Sequence, residues 1–208
     1  MLYPTSGLSN GQVGGTWNEQ WDAAFKVAYS SPLAAIRTNF ITKNPIGKTG
    51  YMGGTGGKLQ CDLCLDAGGV PGKPLAAGRI VDDRQFPEWV NNGGYPLIVF
   101  PQMPLVVAGQ WYHFLFTNVD PDPVHNFSSL DFLTSKTVVN GKIVNPDPNS
   151  KVMFRANGGA WKAHGPELIA SPFALFYANG LKQGNGGYQL APDGSTMCGE
   201  AYGFGGLC

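Results

Sequence analysis

Short apolar runs that stop at Gly, Pro, Asn or Asp recur along the whole chain, and they constrain its fold more than any other feature. "PLAAIRTNFITKN", "PLIVFPQMPLVVAGQ", "WYHFLFTNVDPDP", "SKVMFRANGG" and "PFALFYANG" are all of strand length and all end in turn residues. Runs of this kind at such intervals predict a sandwich or barrel. The clearest case is "KLQCDLCLD" (58–66), which alternates with period two. A strand there places Leu59, Cys61, Leu63 and Leu65 on one face and Gln60, Asp62, Cys64 and Asp66 on the other. Helix signals are sparse: "NEQWDAAFKVAYSS" (18–31) has a stretch that could wind, but "AAFKVAYS" alternates equally well. No internal repeat of about 20–50 residues is visible, which argues against propellers and solenoids.

The expectation is therefore an all-β chain, a jelly-roll-like antiparallel β-sandwich with long Gly/Pro-rich loops and a Cys-containing C-terminal tail. Its core should include Leu59, Leu63, Val99, Leu115, Phe154 and Leu175. Residues 1–190 read as one domain and 191–208 as a Gly-rich tail, with the polar stretch "NGKIVNPDPNSK" (140–151) as a long hairpin or loop rather than a domain boundary.

Composition supports a folded chain. The 30 Gly and 16 Pro would suggest low complexity if apolar residues were scarce, but 43% of the chain is hydrophobic and 12% aromatic. Fourteen basic residues face fourteen acidic ones, which leaves no electrostatic footprint for nucleic acid or for an anionic membrane. Such a surface suits neutral or mildly charged ligands, of which glycans are the commonest polymeric kind. "MLYPTSGLSNGQVGG" has neither the basic nor the apolar region of a signal peptide, and no apolar run approaches the roughly 20 residues of a membrane span. The expected product is made in the cytoplasm without a signal peptide, or has had its signal removed, and does not insert into a membrane.

Two motifs invite chemical readings and lose them. "GYMGGTGGKLQC" (50–61) resembles a phosphate loop, but Met52 stands where the first glycine is needed and Leu59 where a Ser or Thr should hold magnesium. A strand follows it, whereas a phosphate loop opens a helix, so a loop between strands is the simpler reading. Cys61 and Cys64 resemble a redox or zinc pair, but no second pair or close His pair completes a zinc set. Cys198 and Cys208 bracket the tail "CGEAYGFGGLC" and could close it as a disulfide; four unpaired thiols are the alternative, since cytoplasmic synthesis disfavours disulfides.

"AGQWYHFLFTNVDPDPVHNFSSLD" (108–131), "GYMGGTGGKLQCDLCLD" and "GGAWKAHGPELIASPFALFYANGLKQGNGGY" are the most distinctive stretches. Their motif order resembles an uncharacterised β-sandwich family found in carbohydrate-binding-like modules of bacteria and in head spikes or fibres of tailed phages and gene transfer agents. The resemblance spans roughly residues 15–190 and implies a jelly-roll, non-enzymatic module that recognises surface polysaccharide. The Cys-containing tail has no counterpart in it.

Aromatic rings bind sugars by stacking while polar groups bond the hydroxyls. Trp89 and Tyr95 in "FPEWVNNGGYP" and Trp161 and His164 in "NGGAWKAHGP" sit among Gly, Pro and Asn, and His125 and Asn126 close the "TNVDPDPVHN" turn. These six are the candidate glycan contacts; the alternative is that the aromatics plug the end of the sandwich. Trp111 opens an apolar strand and belongs to core or rim, and Trp17 and Trp21 pack against a partner chain or the first strand. In the same turn Asp120 and Asp122, with Asn118 and Asn126, offer oxygens at alternate positions that suit calcium, against an ordinary Asx-Pro turn in which they cap their own backbone. Calcium apart, no cofactor is expected.

Catalysis has thin support. His113, His125 and His164 form no metalloprotease motif, no nucleophile elbow appears, and a carboxylate pair could be drawn from almost any of the acids. The leading expectation is a virion-associated decoration, spike or fibre protein that binds host glycan, contacts other virion proteins and forms a homo-oligomer. The alternatives are a purely structural capsid, neck or tail protein, a glycan-cleaving enzyme, or a secreted or cell-surface location.

Overall fold

A computed structural model describes residues 5–27, 30–38, 40–41, 56–82, 97–135, 138–144, 149–165, 168–170, 173–178 and 201–202. Every regular element among them is a strand. In chain order these are β1 (Thr5–Val13), β2 (Gln20–Lys26), β3 (Ser31–Thr38), β4 (Phe40–Ile41), β5 (Lys58–Asp66) and β6 (Pro71–Ala77). They continue with β7 (Val81–Asp82), β8 (Leu97–Val99), β9 (Leu105–Val106), β10 (Trp111–Asn118), β11 (Ser128–Ser135) and β12 (Val138–Val139). The last are β13 (Lys142–Ile143), β14 (Ser150–Arg155), β15 (Lys162–Ala163), β16 (Leu168–Ala170), β17 (Phe173–Tyr177) and β18 (Ala201–Tyr202).

All pairings are antiparallel. The principal sheet runs β15-β14-β2-β10-β5-β6, with β7 beside β5; a second runs β18-β17-β3-β8 with β9 beside β3; a third runs β1-β11-β16 with β4 beside β11. The segment that could have wound into a helix is β2. Its pairing to β10 puts Trp21 opposite Phe116, Ala23 opposite Phe114 and Phe25 opposite Tyr112, and all six are buried. Alternation, with three aromatic partners available across β10, decides against the helix.

The core forms where these inward residues meet the second sheet. Trp21, Ala23, Phe25 and Val27 from β2 and its end, Leu59, Cys61 and Leu63 from β5, and Tyr112, Phe114 and Phe116 from β10 pack against Leu33, Ile36, Ile98, Phe100, Leu175 and Tyr177. The Phe25 and Phe114 rings stack at 4.4 Å. The result is an all-β, sandwich-like arrangement of antiparallel sheets with one continuous cluster. Leu59, Leu63 and Leu175 are fully buried, as expected. Leu115 and Val99 are only half-buried, a correction: the phase of β10 is set by its aromatics at 112, 114 and 116, which turns Leu115 to the outer face. Phe154 is likewise half-buried and packs on the margin of the core.

The outer face of the principal sheet is where the pattern misleads. Register places Met153, Asp22, Leu115 and Asp62 in one row across four strands, and Lys151, Ala24, His113 and Cys64 in the next. The middle of this face is dry: Asp22, His113 and Cys64 are 0% exposed. Leu65 lies at the far end of β5, where the register with β6 shifts, and is 39% exposed. Face follows alternation here, but burial does not. The polar 140–151 stretch contributes to a β12–β13 hairpin whose turn is Asn140-Gly141, both at positive φ, the geometry that a two-residue hairpin turn needs. Part of the tail is also held, since β18 pairs with β17.

Candidate functional site

Two places on the molecule gather chemistry-bearing side chains. The first is the loop cluster at the end of the principal sheet where β10 runs into the 118–127 turn. Asn118 closes it: Nδ2 donates to Val13 O at 3.1 Å and Asn126 O at 2.7 Å, and Oδ1 accepts from Asp120 N at 2.8 Å. Asp120 Oδ1 accepts from Asp122 N at 3.1 Å and Asn126 Nδ2 at 2.9 Å, while Oδ2 accepts from Lys58 N at 3.3 Å. Side chains cap their own backbone, as in an Asx turn. Asp120 presents both oxygens to N–H donors, so a calcium ion there would require those hydrogen bonds to be given up. Among the described residues, no group of three or more His, Cys, Asp and Glu is arranged to hold a metal.

Two backbone bonds tie the neighbouring loops to this turn. Gly15 N donates to Pro123 O at 2.8 Å, and Asn157 N donates to Trp17 O at 2.8 Å. The β1–β2, β10–β11 and β14–β15 loops thus share one end. Trp17 stands out from it at 60% exposure. Trp161 is half-buried, with the Arg155 guanidinium 4.6 Å from its ring centroid. Arg155 Nε donates in turn to Gln20 Oε1 at 2.6 Å, and Gln20 Nε2 donates to Thr117 Oγ1 at 2.9 Å. A polar track therefore leads from Trp161 across β14, β2 and β10. His125 stands exposed, Nδ1 3.0 Å from both carboxylate oxygens of Asp122.

Of the six candidate glycan contacts, Trp161, His125 and Asn126 fall in this cluster. His164 does not stand free in it, because its ring stacks on Trp21 and lies tilted against Phe154, with centroids 5.8 Å apart in each case. Trp89, Tyr95, Cys198 and Cys208 lie outside the described residues. The sequence left both Trp17 and Trp21 open between a partner chain and the first strand; Trp21 is buried and donates Nε1 to Gln12 O of β1 at 2.9 Å. Four residues of spacing on a strand and its preceding turn send one ring inward and the other out.

The second place was not foreseen. His113 lies between two carboxylates, with Nδ1 2.7 Å from Asp22 Oδ2 and Nε2 2.9 Å from Asp66 Oδ1. Both ring nitrogens can donate only in the imidazolium. Burial pulls His113 down, but the hydrogen bonds and charges of Asp22 and then Asp66 outweigh it and hold its pKa above the usual value. Burial pushes Asp22 up to about 6 against the pull of His113. Asp66, a third exposed, is held below the usual carboxylate range, first by its bond to His113. It also accepts from Gly69 N at 2.8 Å and Gly68 N at 3.2 Å. Asp22 Oδ1 has no partner. The three residues are 91 and 47 positions apart in sequence, and only a lone His in "WYHFLF" hinted at them.

His113 has no nitrogen left over for a substrate, so as placed it acts as a pin across β2, β10 and β5. Beside it an open cleft of about 300 Å³ is lined by Ala24, Asp66, Gly68, Gly69, Trp111 and Lys151, with the imidazole at its base. Cys61 and Cys64 are free, buried thiols. No protein-family model matches the chain, and no curated protein sequence matches it.

Proposed function

We propose that this chain is a non-enzymatic jelly-roll module that binds glycan through the loop end of its principal sheet and is carried on a phage-like particle. The glycan reading rests on one observation: three loops pinned together by backbone bonds carry an outward Trp17 and a Trp161 that leads into a polar track. A stacking plate next to fixed amide, hydroxyl and guanidinium groups is the mixed surface that sugars need. The particle reading rests on the resemblance in motif order. The exposed, alternating Met103, Leu105 and Val107 beside β9 supply an apolar edge for contacts with other virion proteins or further copies.

A glycan array followed by titration tests the first part. Replacing Trp17 or Trp161 with Ala should weaken binding at least tenfold at an unchanged melting temperature. No array ligand at all, or full affinity in both variants, would remove the glycan reading. Mass spectrometry of purified particles that found no copies of the chain would remove the particle reading separately.

A further inference from the structure

The polar track that starts at Trp161 does not stop at β10. Register sets Arg155 of β14 opposite Gln20 of β2, and Thr117 of β10 opposite Gln60 of β5. The bond from Gln20 to Thr117 joins the two pairs. Four adjacent strands thus contribute one polar row on the outer face, about 14–15 Å long at an interstrand spacing of about 4.7–4.9 Å. All four side chains are half-buried. At the β5 end Gln60 Nε2 donates to Asp62 Oδ1 at 2.7 Å.

Each member of the row is fixed by one bond and keeps another to offer. Arg155 donates through Nε, Gln20 through one N–H of Nε2, and Thr117 accepts at Oγ1. Among the described residues, the Arg155 Nη groups, the second Gln20 N–H, the Thr117 hydroxyl hydrogen, Gln60 Oε1 and Asp62 Oδ2 remain open. An apolar line runs parallel to the row. Leu115 stands half-buried two residues before Thr117 on the same face of β10, with Met153 across Asp22 from it.

We infer that this row extends the loop-end site into a track for an uncharged, unbranched polysaccharide, which crosses the strands from Trp161 to Gln60 with ring faces on Leu115 and hydroxyls on the row. The inference rests on the glycan reading above. A sugar hydroxyl donates and accepts, and so does the row, whose middle members are neutral amides and a hydroxyl. An acidic sugar would bring acceptors against Gln60 Oε1 and the Asp62 carboxylate. The row has the length of a trisaccharide, so a single ring would use only part of it. An extended peptide has no ladder to join, because β14, β2, β10 and β5 all lie inside the sheet with partners on both sides.

The test titrates cellotetraose, xylotetraose and mannotetraose, the matching disaccharides and tetragalacturonate into the intact chain. It follows the side-chain amide signals of Gln20 and Gln60 in a proton–nitrogen correlation spectrum. At least one neutral tetrasaccharide should shift both signals saturably and bind at least tenfold more tightly than its disaccharide. Tetragalacturonate should bind at least tenfold more weakly than that tetrasaccharide. Thr117→Val and Gln60→Ala, which leave Trp17 and Trp161 in place, should each weaken it at least threefold at an unchanged melting temperature. The inference is overturned if no neutral tetrasaccharide moves the Gln60 signal, if tetragalacturonate binds as tightly, or if both variants keep full affinity. Binding that is lost in Trp17→Ala or Trp161→Ala but kept in Thr117→Val and Gln60→Ala would remove the track and leave the loop-end site standing.

Discussion

Replacing His113 with Leu while leaving Asp22 in place tests what the buried triad contributes. The Asp22 carboxylate is 0% exposed, its Oδ1 is already unpartnered, and Oδ2 would lose its 2.7 Å bond. Its cross-strand neighbours are Met153 and Leu115, which offer no replacement donor. Breaking a buried pair in this way costs about 3–5 kcal/mol, a large share of the roughly 5–15 kcal/mol that holds a typical domain together. Replacing both partners, with Asp22→Val and His113→Leu together, removes the orphan and should return stability to within about 1 kcal/mol of the parent. Urea unfolding at constant slope is the assay.

The pH dependence carries the sign. Asp22 and His113 both have raised folded pKa values, so each contributes stability that is present below its unfolded value and lost as pH rises. For Asp22 the window runs from 3.8 to about 6, a span of about 3 kcal/mol at 1.36 per unit. For His113 the loss begins above 6.5. Asp66, with its pKa lowered from 3.8, has the opposite sign and loses its contribution only in stronger acid. The parent should therefore lose stability through this site as pH rises from about 4 to 6 and again above 6.5, and the double variant should show a flatter profile. The single variant should be penalised more at pH 8 than at pH 5, where a neutral acid replaces a buried charge. A cost below about 1 kcal/mol at pH 8, or an equal cost at both pH values, would refute the reasoning.

Two further outcomes follow from packing and burial. A Cβ at Gly57 would lie 2.6 Å from Asn126 O, a backbone atom held in the capped turn, so Gly57→Ala should destabilise by about 1–3 kcal/mol in thermal unfolding, and a neutral effect would show that the turn yields. Burial raises Cys64 to about 12 and Cys61 well above the usual thiol value; since the thiolate is the reactive form, peptide mapping after iodoacetamide at pH 8 should find both unmodified in the native protein and modified in urea, and rapid native labelling would contradict their burial.

Much of the fold was legible because period-two patterning is local. The face assignments of β5 follow directly from Leu59, Cys61 and Leu63, and the Asx-Pro capping of 118–126 follows from side chains that bond the backbone of their own turn, although Asn118 and Asp120 also reach Val13 and Lys58. What the pattern could not supply was phase or cover. In "WYHFLF" every residue but one is apolar, so nothing local says that Leu115 faces out and Phe116 in; the choice is made by Trp21 and Cys61 across the strands. The loop-end cluster was readable for Trp161 and His125 because Gly and Pro mark loops. Trp17 joined it only through contacts between loops far apart in sequence.

The dry outer face explains why the His113 triad escaped notice and what it is for in the architecture. Alternation equates the polar face of a strand with solvent, and by that rule Asp22, Cys64 and His113 should be wet. They are not, because small residues at 24 and 64 lie low between long neighbours, and Trp111 and Lys151 lean across Ala24. Apolar residues in that row would pack at no electrostatic cost, so stability alone gives no reason for an imidazolium there. The triad's other product is position. It links β2 through β10 to the last residue of β5, so Asp66 is held from one side by His113 and from the other by the amides of Gly68 and Gly69. A carboxylate at the end of a strand would otherwise be free to rotate; here it is held in place at the wall of the cleft. The buried charge and the open cleft are thus two ends of one device, and the large loss expected from His113→Leu is the cost of undoing the end that solvent never sees.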